Sequence, residues 1–122
     1  MASKALQIGS DSHVWVVMGW ARHALGRIAH SRGTLSEAAE QLDEALRIFD
    51  RIQSRYETGC THMDLAAVAH ELGRSRRASA HLREALQIFR ALHVPRYILR
   101  VEQVADELHI VLPAESATSS AD

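Results

Sequence analysis

Residues 33–52, GTLSEAAEQLDEALRIFDRI, and residues 73–92, GRSRRASAHLREALQIFRAL, repeat one another at an offset of 40 positions. Eight of the twenty aligned pairs are identical: Gly33/Gly73, Ala38/Ala78, Leu42/Leu82, Glu44/Glu84, Ala45/Ala85, Leu46/Leu86, Ile48/Ile88 and Phe49/Phe89. Unrelated segments of this composition would share about one or two. Upstream, the same offset pairs Leu25 with Leu65, Ala29 with Ala69 and His30 with His70. One step further back, Ala5-Leu6-Gln7-Ile8 falls on Ala45-Leu46-Arg47-Ile48, so the chain is expected to open on the tail of a preceding repeat, like a piece of a longer array.

Within each copy the apolar residues keep helical spacing. Ala38, Leu42, Ala45, Leu46 and Phe49 recur three and four apart, while Glu40, Asp43, Glu44, Arg47 and Asp50 take the other side. Gly33 and Gly73 fall between two such patterns, where a helix ends on a left-handed residue and the chain reverses. Ser36 and Ser75 follow as candidate caps of the next helices. These signals predict a helical stub at 3–8, helices at 13–31, 35–53, 56–72 and 75–92, and a last helix at 96–110. The corresponding units are a repeat-helix remnant (1–9), two repeats (10–53 and 54–93), a capping helix (94–112) and a disordered tail (113–122).

Small and large residues alternate as helix pairing requires. Ala29, Ala38, Ala45, Ala69, Ala78 and Ala85 let helix axes approach, and Leu25, Leu42, Leu65 and Leu82 fill the space between them. A single hairpin leaves one apolar face open, which stacking closes. Pro95 suits a first helical turn, and Glu102, Asp106 and Glu107 give the last helix a polar side, as a cap needs.

With 122 residues, 47% hydrophobic, the chain can bury a continuous core. Lys and Arg (14) balance Asp and Glu (15), giving a net charge of -1, so no global field favours nucleic acid or anionic membrane. Cys60 is the sole cysteine, which excludes an intrachain disulfide. The longest apolar run, Val14 to Trp20, is far shorter than the roughly 20 residues of a membrane span. No secretion-signal pattern opens the chain, and the expected location is cytoplasmic.

The order Leu25-Gly26, Ala29, Gly33, Ala38, Leu42, Ala45, repeated as Leu65-Ala66, Ala69, Gly73, Ala78, Leu82, Ala85, resembles the tetratricopeptide repeat family over roughly residues 18–92. It departs from the family pattern in its 40-residue period in place of 34, in Arg22 and His62 where an early tryptophan is usual, and in lacking a closing proline at Asp50 or Arg90. Long variants of this kind resemble the repeat regions of large bacterial signalling and regulatory proteins. The resemblance implies an all-α, right-handed superhelix of antiparallel helix hairpins, no enzymatic activity, no cofactor, and a protein or peptide partner held on the concave face. It places Trp20, His23, Arg27, His30 and Ser31 on that face beside Met63, Ala67, His70 and Glu71, with Arg100, Gln103 and Glu107 from the cap. The competing account of these residues is a solvated polar surface.

Eight histidines raise metal binding, but no short Cys/His spacing supplies three or four converging ligands. His70-Glu71-Leu72-Gly73-Arg74 begins like a zinc-protease motif and fails at Arg74, where the second histidine must stand. No phosphate loop, nucleophile elbow or paired-carboxylate pattern occurs. Arg74, Arg76, Arg77 and Arg83 form a basic corner, the basis of an alternative reading as a nucleic-acid-contacting segment of a transcription regulator. A third reading is a structural spacer or dimerisation segment. Val14, Trp15, Val17 and Met18 lack an upstream neighbour and are the expected self-association residues of a two-fold homodimer.

Overall fold

The computed structural model describes the backbone of residues 2–113, with side chains from His13 onward. Five helices follow in order: α1 (Ala2–Ser31), α2 (Leu35–Arg51), α3 (Arg55–Glu71), α4 (Ser75–Ala91) and α5 (Pro95–Glu107). Beyond Pro113, the disordered tail expected at 113–122 lies outside the described residues. The stub expected at 3–8 is not separate, because the helix runs unbroken from Ala2 into α1. No proline interrupts that stretch, and the single Gly9 costs a helix interior only about 1 kcal/mol.

Each helix stops in the same way. Residues with positive φ stand at Gly33 (81°), Gln53 (59°), Gly73 (76°), His93 (56°) and His109 (58°). The next residue donates its N–H five residues back: Thr34 to Ala29 at 3.0 Å, Ser54 to Phe49 at 2.9 Å, Arg74 to Ala69 at 2.8 Å, Val94 to Phe89 at 3.1 Å and Ile110 to Ala105 at 2.8 Å. This closure satisfies the last carbonyls of the helix and turns the chain in three residues. It also fixes where the next helix begins, so the N-cap positions are Thr34, Ser54, Arg74 and Val94. Ser36 and Ser75, expected as caps, fall inside the first turns instead. Thr34 donates its hydroxyl back to the Ala29 carbonyl at 3.0 Å, and Ser54 to the Glu57 carboxylate at 2.7 Å.

The hairpins are locked by large rings against missing side chains. A Cβ at Gly19 would lie 2.5 Å from the Phe49 ring, and one at Gly59 would lie 2.7 Å from the Phe89 ring. Gly19 and Gly59 are themselves 40 residues apart, as are the two phenylalanines, so one knob-and-socket joint occurs twice. Both rings are wholly buried. In α5 the same register is held by Leu99, 57% exposed, so no phenyl ring can seat on α5 in that manner. Its inner side, Val101 and Ala105, is buried against α4, while Glu102, Asp106 and Glu107 are exposed.

Each helix packs on its chain neighbours, and α1 also touches α3, as α3 touches α5. The backbones of α2 and α4 stay apart. Odd-numbered helices therefore form the inner, concave layer and α2 and α4 the outer, splayed one. Apolar burial follows this layering: Leu65 and Val68 of α3 are covered by α2, whereas Leu25 and Ile28 of α1 are 48% and 47% exposed. Leu25 thus does not fill an interhelical space as its counterpart Leu65 does, because no helix lies on that side of α1.

Candidate concave interaction surface

The inner layer is stitched across α1 and α3 by two histidine–carboxylate pairs. His23 Nε2 lies 2.7 Å from Asp64 Oδ2, and His30 Nε2 meets Glu71 Oε2. His23 is 6% exposed, and its ring nitrogen approaches Asp64 out of line for a directed hydrogen bond. Of the residues expected on the concave face, His23 is therefore a buried strut in the seam and not an open contact. Glu71 is engaged by His30, while His70 points away as an exposed residue in the last turn of α3.

On either side of this seam the surface is hollow. One hollow, about 450 Å³, is bounded by Trp20, His23, Ala24, Arg27, Ile28 and Ser31. Trp20 is held there edge-on to Phe49 and His23, with ring centroids 5.6 and 5.3 Å away. The second, about 460 Å³, lies between α3 and α5 and is bounded by Met63, Arg96, Tyr97, Leu99, Arg100 and Gln103. Its wall is stiffened by aromatic packing: Tyr97 stacks on Phe89 at 5.0 Å and meets Tyr56 edge-on at 5.1 Å, the two tyrosine hydroxyls being hydrogen-bonded. Of the expected partner-binding residues, Trp20 and Arg27 thus share the first hollow, and Met63, Arg100 and Gln103 the second. Arg96, Tyr97 and Leu99 went unnoticed in the sequence, since nothing local distinguishes them from a cap.

The two hollows are lined by arginines and by no carboxylate. Asp64 and Glu71 are taken by His23 and His30, and Arg27, Arg96 and Arg100 have no carboxylate partner among the described residues. The basic corner lies elsewhere. Arg74 and Arg77 border a narrow cleft with Asp43, Leu65 and His81 at the outer layer, and Arg76 and Arg83 are exposed on α4. Also away from the concave surface, His62 and His81 approach Nδ1 to Nδ1 at 2.9 Å between α3 and α4. Burial, and then repulsion from His81, lowers the His62 pKa to about 4, and burial lowers that of His81 as well. Cys60 is half-buried between α3 and α5, and burial pushes its thiol up to about 11, which leaves it a weak nucleophile at neutral pH. Among the described residues, no group of three or more His, Cys, Asp or Glu is placed to hold a metal ion.

Antiparallel helix pairs, a glycine–phenylalanine joint recurring at 40 residues and a two-layer stack agree with what family comparison finds, a match to the tetratricopeptide repeat over residues 17–91, more than half of the chain. The chain belongs to the tetratricopeptide repeat family. Tetratricopeptide repeats are generally non-catalytic protein–protein interaction modules. Neither a curated protein nor a solved structure matches this one. Among the described residues of this tetratricopeptide array, no helix is long and apolar enough to cross a membrane.

Proposed function

We propose that this array is a protein-interaction module whose concave face holds an extended peptide carrying apolar side chains and at least one carboxylate. The observation that carries the reading is the pairing within each hollow of an apolar wall with unpartnered arginine: Trp20 with Arg27, and Met63, Tyr97 and Leu99 with Arg96 and Arg100. The His23–Asp64 and His30–Glu71 contacts support it by holding Asp64 and Glu71 in the seam between α1 and α3, outside the linings of both hollows. Burying a ligand carboxylate against a guanidinium gives a charge-assisted hydrogen bond, and the apolar walls supply the remaining contact area.

Panning a random peptide display library on the purified chain tests the proposal. Enriched peptides should pair Asp or Glu with large apolar residues, and the double variant Arg27→Glu, Arg100→Glu should weaken their binding at least tenfold. Arg83→Glu, on the outer layer, should leave it unchanged. Enrichment of basic peptides, or binding indifferent to the concave double variant, would refute the reading.

A further inference from the structure

Beside its contact with α2, α1 carries an apolar seam that no described helix covers, and Met18 and Arg22 at its edge share a hollow with Glu44, Arg47, Ile48 and Arg51 of α2. Val14, Met18, Ala21, Leu25 and Ile28 follow one another at steps of four and three, the spacing of a helix-packing seam. Val14, Met18, Leu25 and Ile28 are 52%, 39%, 48% and 47% exposed. Adding 40 to the last four positions gives Thr58, Thr61, Leu65 and Val68, which are 2%, 0%, 3% and 0% exposed. Those residues are buried because α2 lies across them. The seam on α1 is thus the counterpart, one repeat earlier, of the surface that α2 covers on α3.

The repeat also specifies the charge that belongs there. Arg22 and Gln41, hydrogen-bonded at 3.0 Å, stand at the positions of His62 and His81 in the next unit. Around His62 and His81, α2 contributes the carboxylates Asp50 and Asp43, seven residues apart, and Asp43 shares a cleft with His81. A helix lying on α1 as α2 lies on α3 would therefore bring its own acidic positions to Arg22. Between His13 and Ser36 the chain has three arginines and no Asp or Glu.

We propose that the open seam of α1 binds an acidic amphipathic helix of a partner protein, patterned like α2, with carboxylates one heptad apart set against Arg22. Two copies of α1 fit each other poorly by comparison. Each would bring Arg22 towards the other's basic side, and Trp15, expected near a two-fold axis, is instead half-buried with the Arg51 guanidinium 5.8 Å over its ring. Val14, Val17 and Met18 remain on the open side.

A fluorescently labelled peptide with the sequence of residues 34–52, blocked at both ends, serves as the probe, with binding to the full chain read by anisotropy at low salt. Saturable binding is expected, weakened at least tenfold by Leu25→Glu in the chain. Circular dichroism of that variant should match the wild type, since Leu25 covers nothing. Changing peptide Asp43 and Asp50 to Lys should weaken binding similarly, and Arg22→Glu in the chain should restore it. The proposal is overturned if the peptide fails to bind, or if binding ignores Leu25→Glu, meaning that the peptide only exchanges with the internal α2. It is equally overturned if sedimentation shows a dimer that Leu25→Glu dissolves, meaning that the seam serves a second copy.

Discussion

Gly59→Ala should destabilise the protein although it replaces glycine by alanine in the middle of a helix. On helix propensity alone the change gains up to about 1 kcal/mol. Against that, the added methyl lies 2.7 Å from Phe89 Cζ and 3.0 Å from Cε2, closer than carbon atoms approach. The ring cannot yield outward, because Phe89 is wholly buried among Ala66, Leu86, Val101 and the stacked Tyr97. Forcing a methyl into such packing costs about 1–3 kcal/mol. The net loss expected is up to about 3 kcal/mol, read from urea unfolding followed by far-UV circular dichroism. Phe89→Leu alone should cost about 1 kcal/mol, and in the double variant the methyl occupies space the ring has vacated. The cycle should therefore show a coupling of at least about 1 kcal/mol. A stabilising Gly59→Ala, or a double variant equal to the sum of the singles, would refute the glycine–phenylalanine joint as the element that sets helix spacing.

Two further outcomes follow from local chemistry. His62 binds a proton less readily in the folded chain, at a pKa of about 4, than at its ordinary 6.5, so the unfolded chain binds more protons between those values and stability falls as pH drops through that window. At about 1.4 kcal/mol per pH unit, reduced for the water around a half-buried pair, unfolding at pH 5 should be about 1–2 kcal/mol easier than at pH 8. His62→Gln should flatten this difference; an unchanged slope in the variant would remove the assignment. At the second turn, Gln53→Gly should raise stability by about 0.5–1 kcal/mol, since Gln53 holds a left-handed conformation at φ 59° that costs a residue with a Cβ. A loss of stability in thermal melts would count against it.

The repeat was legible because it is written in packing residues, which the core constrains. Gly33 and Gly73 marked two turns, yet Gln53 and His93 adopt the same backbone conformation without a local signal, because the closure of the helix end imposes it. The offset that revealed Phe49/Phe89 also contained Gly19/Gly59, but a missing side chain gives no apolar signal, and Gly19 lies inside an apolar run while Gly59 lies among polar residues. Leu25 was misplaced for the opposite reason: its pattern reports a packing surface but not whether a helix covers it. Trp20, Arg27, Met63, Arg100 and Gln103 were expected on the concave face from the family resemblance, which says which helix of each hairpin lines it. That His23 would be buried on Asp64, and His62 brought to His81, depends on interhelical approach, which the phase of a single helix does not carry.

The uniform turns have a mechanical consequence. Left-handed residues at 33, 53, 73 and 93 punctuate the chain every 20 residues, and each closure bonds back only to its own helix. Among the described residues, no helix touches another more than two places along the chain, so none of their contacts ties the first helix to the last. Such an object behaves as a short spring. A small change of tilt at each of its like joints adds along the stack, so the curvature of the concave face can open or tighten around a ligand without any core residue leaving its neighbours. Pulled apart, it would yield from an edge in lengths of one helix and one turn.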